Sequence, residues 1–196
     1  GSFALLLAVV PMGPISTFIN DSGLATVFTT VNTYTMGLLA VYMVFFITKN
    51  LVNQYMDKDD GMTAAAIAFL CFLIVTPIGT TSDEVSAIPT TWLGSQGAFT
   101  AIIVATVTTF IYKYTKDHNL TIKMPDGVPP MVSNVFAGLI PFVLISVLFM
   151  ATNYVFSLTS IGCLHQAVYS LLQVPLQSLG GSIWAVLFVA FLAQVL

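Results

Sequence analysis

The chain is read as an all-α integral membrane protein on three observations. It is 57% hydrophobic and only 7% charged over 196 residues, too little polar surface to cover a soluble globule of that size. Its apolar runs are long enough to cross a hydrocarbon core of about 30 Å, which needs roughly 20 helical residues, and they lack the alternating ten-residue pattern of a transmembrane barrel. Its five basic side chains are all lysines, placed after two of those runs with a single run between them. The net charge of -3 is too small to point to a partner, and no nucleic-acid partner is expected.

The spans follow in order. Ser2 to Val10 is apolar but stops at Pro11, about half the length a bilayer needs, so it is expected to be the end of a truncated first span. It has neither the cationic start nor the small-residue cleavage site of a signal peptide. The second span is expected from Leu24 to Thr48, followed by Lys49 and the polar run Asp57, Lys58, Asp59 and Asp60. A short third span runs from Met62 to Val75 and ends near Pro77 and Gly79. A fourth begins near Ser95 and reaches Tyr112, with Lys113 and Lys116 at its C-terminal end, where cations suit the helix dipole and can snorkel. A fifth extends from Met131 to Phe156, and a sixth, from Ile183 to Leu196, is cut off by the end of the chain. The count is thus five to six spans.

Threading the membrane alternately puts every lysine on one side, and the positive-inside tendency makes that side cytoplasmic. The loops around Asn50–Gly61 and Tyr114–Pro130 are expected inside; those around Pro11–Gly23, Ile78–Gly94 and Leu158–Gly181 outside. Between the fifth and sixth segments, Gln166, Ser170, Gln173 and Gln177 recur at helical spacing opposite Leu164, Val168, Leu171, Leu172 and Pro175. That is an amphipathic helix, ended by Gly180 and Gly181. With no cation on its polar face it suits an interfacial or linking role better than anionic headgroups. The domain reading is an interface domain over 1–157, a linker helix over 158–181, and the start of a further span over 182–196.

Few residues point to chemistry. His118 and His165 fall on opposite sides of the membrane and cannot form one site. His118 reads as a loop residue and His165 as the polar edge of the amphipathic helix, both more readily structural than functional. Cys71 and Cys163 match neither a metal motif nor a redox pair, and Cys71 reads as a small buried hydrophobe. Asp83 and Glu84 read as a solvated outer loop. The span interiors hold no Asp, Glu, Lys, Arg or His, whereas a transport site near the midplane normally uses ionisable groups or broken helices. The neutral candidates Asn32, Thr33, Ser146, Thr152 and Asn153 are equally explained by bonds between helices. Gly94, Gly97 and Gly138 fit close packing or helix entry, and the sequons at Asn20 and Asn119 are of a kind common by chance. No metal or cofactor is expected.

After the fourth span, Asn119 to Met124 reads as an extended segment closed by a rigid turn at Pro125, Asp126, Gly127, Pro129 and Pro130. Residues Leu93–Val104, Ile111–Lys113 and Thr121–Pro141 resemble the IIC membrane component of sugar phosphotransferase systems, of the lactose/cellobiose type that also takes chitobiose. The most specific part is the motif Lys123, Pro125, Asp126, Gly127, Pro129 and Pro130 with its continuation Phe136–Pro141. Asp126 stands where the family often has glutamate. The likeness extends over the opening Gly1–Pro11 and the closing Trp184–Leu196.

The resemblance implies a homodimer formed through an N-terminal interface domain, which this chain would be, and a C-terminal domain that binds the disaccharide. It implies a bacterial cytoplasmic membrane and a cytosolic phospho-IIB partner whose cysteine carries the phosphoryl group. The family's sugar-contacting histidine and the glutamate near the reacting hydroxyl lie beyond Leu196, so no catalytic or substrate-binding residue is expected within the chain. Two alternatives remain on the sequence alone: an ion-coupled secondary transporter, which would want an intramembrane carboxylate or a polar-lined broken helix, and a membrane scaffold without transport.

Overall fold

The computed structural model describes residues 19, 21–56, 60–80, 86–122, 125, 127 and 129–173. The expectations for Ser2–Val10, Lys58, Asp83, Glu84, Lys123, Asp126, Gln177, Gly180, Gly181 and the segment from Ile183 fall outside them.

The described residues form a helical bundle. Helix α1 spans Leu24–Thr35, a 3-10 turn covers Met36–Leu38, and α2 runs Leu39–Tyr55. Helix α3 is Asp60–Val75, α4 Ala98–Asp117, α5 Pro130–Ala137, α6 Leu139–Ser157 and α7 Leu164–Val168, followed by a π-helical turn over Tyr169–Gln173. Three stretches are long and apolar enough to cross a membrane: Leu24–Tyr55, Ser95–Asp117 and Val135–Ser157. Helix α3, at 16 residues, is shorter. It rises about 24 Å, short of a hydrocarbon core by about a turn.

Four expected boundaries change, each for a local reason. The span expected over Leu24–Thr48 continues to Tyr55 and is broken at Gly37. The groups freed by the break find partners: the Ala40 amide donates to the Leu93 carbonyl at 2.9 Å, and the Tyr42 hydroxyl donates to the Tyr34 carbonyl at 3.0 Å. A broken helix at membrane depth is tolerated when protein groups satisfy its backbone in this way. The span expected as one helix from Met131 is two, parted at Gly138. Pro141 has no amide hydrogen to give the Ala137 carbonyl, so the ladder lapses at that point. Asp60, expected in a solvated run, lies in the first turn of α3 and is 8% exposed. The loop expected over Ile78–Gly94 includes an antiparallel pair, β1 (Gly79–Thr80) with β2 (Ser86–Ala87), and a 3-10 turn at Thr90–Trp92.

Helix α3 sits centrally, packed on α2, α4 and α6. Its buried residues include Gly61, Ala64, Ala65, Ala68, Cys71 and Phe72. Helix α2 buries one narrow i, i+4 stripe, Ala40, Val44, Thr48 and Val52, and α4 buries Thr100, Ala101, Val104, Ala105, Thr108 and Tyr112. The outer faces carry the large apolar groups, among them Phe46, Leu70, Phe110, Val143 and Val147. This arrangement suits a hydrocarbon solvent: burying leucine gains little there, and small residues let helix backbones approach. Helix α1 buries none of its residues.

Candidate functional site

Polar chemistry collects at the two ends of the bundle. At one end the C-termini of α2 and α4 meet the N-terminus of α3. The Lys116 ammonium lies 2.7 Å from Asp60 Oδ1, and the Tyr112 hydroxyl donates to the same oxygen at 3.2 Å. Lys116 Nζ also stands 5.8 Å from the Tyr112 ring centroid, and Lys113 Nζ 5.6 Å from that of Tyr55. The Asp60 carboxylate suits its place at a helix N-terminus as well as its lysine. With Gln54, Tyr55, Met56 and Asp117, the pair lines an open polar cleft.

Helix α4 leaves this end through a Schellman turn. Asn119 takes the left-handed conformation at φ 55°, its amide donates to the Lys116 carbonyl at 3.0 Å, and the Leu120 amide donates to the Thr115 carbonyl at 2.8 Å. His118 is exposed, with Nδ1 2.9 Å from the Tyr114 carbonyl oxygen. Within the proline turn that follows, Gly127 has φ 103° and a Cβ added there would meet nothing within 4 Å. Its glycine therefore answers to backbone conformation and not to crowding. The Pro129 carbonyl accepts from the amides of Val132 and Ser133 at 3.0 and 3.1 Å, starting α5.

At the other end, a full α3 length away, His165 is completely buried, not at the polar edge expected for it. Its ring stacks on Trp92 with centroids 5.5 Å apart at 16°, and meets Phe72 edge-on at 5.1 Å. Nε2 lies 3.0 Å from Thr76 Oγ1. Thr76 donates its one hydroxyl proton to the Phe72 carbonyl at 2.8 Å, so its oxygen accepts from Nε2–H. Nδ1 is then a buried acceptor, without a partner among the described residues. Burial lowers the His165 pKa from 6.5 to about 4. Beneath this cluster Gly97 packs against the Trp92 carbonyl so closely that a Cβ would lie 1.8 Å from that oxygen.

Helix α7 keeps part of its expected amphipathicity. Leu164 and Val168 are buried and Gln166 and Ser170 exposed, but Leu171, within the π turn, is 75% exposed. Cys163 caps the helix, its sulfur accepting from the Gln166 amide at 3.5 Å. Cys71 is buried, 3.8 Å from Ser146 Oγ between α3 and α6. Four of the five neutral polar candidates are engaged within the fold: Thr33 and Thr152 donate to carbonyls one turn back, Ser146 meets Cys71, and Asn153 Oδ1 accepts from the Leu164 amide. Among the described residues no three metal-ligating side chains gather. Sequence reasoning missed the Asp60–Lys116 pair, although its own topology put both residues at one membrane face. No sequence signal marked the box around His165.

A family model described as "Phosphotransferase system, EIIC" matches residues 1–196. The chain is 34% identical over 171 residues to the cellobiose-specific EIIC component of Geobacillus stearothermophilus, covering 83% of this chain and 38% of that protein. It is 36% identical over 169 residues to the oligo-beta-mannoside-specific EIIC component of Bacillus subtilis, covering 84% and 38%. The fold matches the crystal structure of the transporter ChbC, the IIC component from the N,N'-diacetylchitobiose-specific phosphotransferase system, with TM-score 0.86 and 29% identity over 99% of this chain and 47% of ChbC. The chain thus spans less than half the length of these relatives, and it belongs to the EIIC family of the phosphotransferase system, whose members are integral membrane proteins.

Proposed function

We propose that the chain is the N-terminal frame of a disaccharide permease, which carries a sugar such as cellobiose, chitobiose or lactose across the bacterial cytoplasmic membrane and presents it to phospho-IIB. The phosphoryl group would pass from the IIB cysteine to a sugar hydroxyl on the inner side, trapping the product there. The observation that supports this most is the overlap of nearly the whole chain with less than half of a chitobiose-system IIC component. The lactose-specific relatives of Staphylococcus aureus, named EIICB components, are consistent with a B-type partner. Within the described residues the spans hold no Asp, Glu, Lys, Arg or His at mid-depth, and hydroxyls there such as Thr33, Thr48, Thr109 and Thr152 donate to helix backbone, which suits a frame better than a sugar site; the buried Thr100 and Thr108 hydroxyls have no partner among the described residues.

The frame would serve as the dimer interface and as a static body against which a sugar-binding domain moves, with the segment after Ser157 leading towards that domain. The lysine end would face the cytosol, and the turn at Lys123, Pro125, Asp126, Gly127, Pro129 and Pro130 would set the entry of α5 on that side. The test is uptake by the full-length protein in cells deprived of other disaccharide permeases. Accumulation of phosphorylated cellobiose or chitobiose that requires phospho-IIB is the expected result. Accumulation of free sugar without IIB would overturn the proposal in favour of ion coupling.

A further inference from the structure

His165 does no work in the function proposed above, yet it is held with unusual specificity. The segment that carries it is short, five helical residues and a π turn, and it sits on the bundle through Leu164, His165 and Val168. The imidazole has one hydrogen bond, from Nε2–H to Thr76, and Nδ1 is buried with no hydrogen-bond partner among the described residues. We propose that this segment is an acid-released latch: neutral His165, seated against Phe72 and Trp92, holds it on the bundle, and a proton on Nδ1 lets it go.

The groups around the ring fit that assignment. From α3 it meets Phe72, from just past the end of that helix Thr76, and from the 3-10 turn Trp92; on its own segment the nearest titratable groups are Cys163 and Tyr169. The titratable residue in the buried part of α3 nearby, Cys71, is engaged with Ser146; the charged residues of α4 lie in its last two turns, at the far end of the bundle; and α6 contributes only the exposed Tyr154. Asp83 and Glu84, between the two strands, lie outside the described residues. A protonated ring would keep its bond to Thr76 and bury an unpaired Nδ1–H and a full charge, which stacking on Trp92 offsets only in part.

The direction in pH follows. The docked ring holds its proton only below about 4, a free one below about 6.5, so the undocked state binds more protons between those values. Docking is complete above pH 6.5 and weakens as pH falls towards 4. Hydrogen exchange on the full-length protein in lipid nanodiscs tests this, read as protection factors for the Gln166–Ser170 amides. Protection should fall by roughly tenfold or more between pH 7 and pH 5. His165→Gln, which can still donate to Thr76 but does not titrate, should hold protection constant; His165→Phe, a second non-titrating variant, is held to the same outcome. The Asp83→Asn, Glu84→Gln double variant should respond to acid like the parent. Protection independent of pH in the parent, an equal fall in either His165 variant, or loss of the response in the double variant would overturn the latch.

Discussion

The two ends of this bundle solve opposite problems with buried polar groups. At the lysine end a charge is kept as a charge: Asp60 is 8% exposed and is matched by Lys116 and Tyr112. At the His165 end a titratable group is kept neutral, enclosed by rings and given one partner. The difference follows from where each group stands. The lysine end opens to a polar cleft, where long cationic side chains can reach water, so an ion pair there avoids most of the desolvation a sealed one would suffer. The His165 ring is fully buried between Phe72 and Trp92, and an ion there would have no such exit.

Substitutions can break each end separately. The largest effect is expected at Gly97, where a Cβ would meet the Trp92 carbonyl, a backbone atom that cannot swing aside. Gly97→Ala should cost about 3 kcal/mol or more and loosen the seat of Trp92. Thermal unfolding in detergent together with Trp92 fluorescence would register both. Next comes Lys116→Met, which leaves the Asp60 carboxylate with Tyr112 alone. It should cost about 2 kcal/mol, less than a fully sealed pair because the lysine side chain is 22% exposed. Adding Asp60→Asn should recover part of that loss, and a double variant less stable than Lys116→Met would show that the pair is not coupled.

Gly127→Val should cost about 1–2 kcal/mol from its positive φ, lowering extracted yield and transport together. Normal yield and sugar binding with lost phosphorylation would instead make the turn a contact for IIB. The smallest effect is expected for Lys113→Met, whose contact with the Tyr55 ring at 5.6 Å is half-open to solvent. A change of about 0.5 kcal/mol is expected there, and a cost as large as that of Lys116→Met would erase the distinction between a ring contact and a buried pair.

What the sequence made legible was set by composition and long-range charge. The apolar runs announced helices, and the lysines sorted the chain ends of those helices onto one face. The breaks at Gly37 and Gly138 were harder to see, because hydropathy averages over a window and does not register one missing amide at Pro141 or the Ala40 amide turned to the Leu93 carbonyl. Asp60 read as loop because three charged neighbours precede it; only its distance to Lys116 places it in the bundle. His165 read as an edge residue because helical periodicity describes one helix against one apolar surface. Its burial depends on Phe72, Thr76 and Trp92, which are distant in sequence.

The central claim is that these two ends lie on opposite sides of a membrane, with the charged end inside. Single cysteines at Lys58 and at Ser86, each in full-length protein with Cys71 and Cys163 replaced, measure it directly through a membrane-impermeant thiol reagent added to intact cells and to inverted vesicles. The account predicts labelling of the Lys58 position only in inverted vesicles and of the Ser86 position only in intact cells. Labelling of both positions from the same side would contradict it.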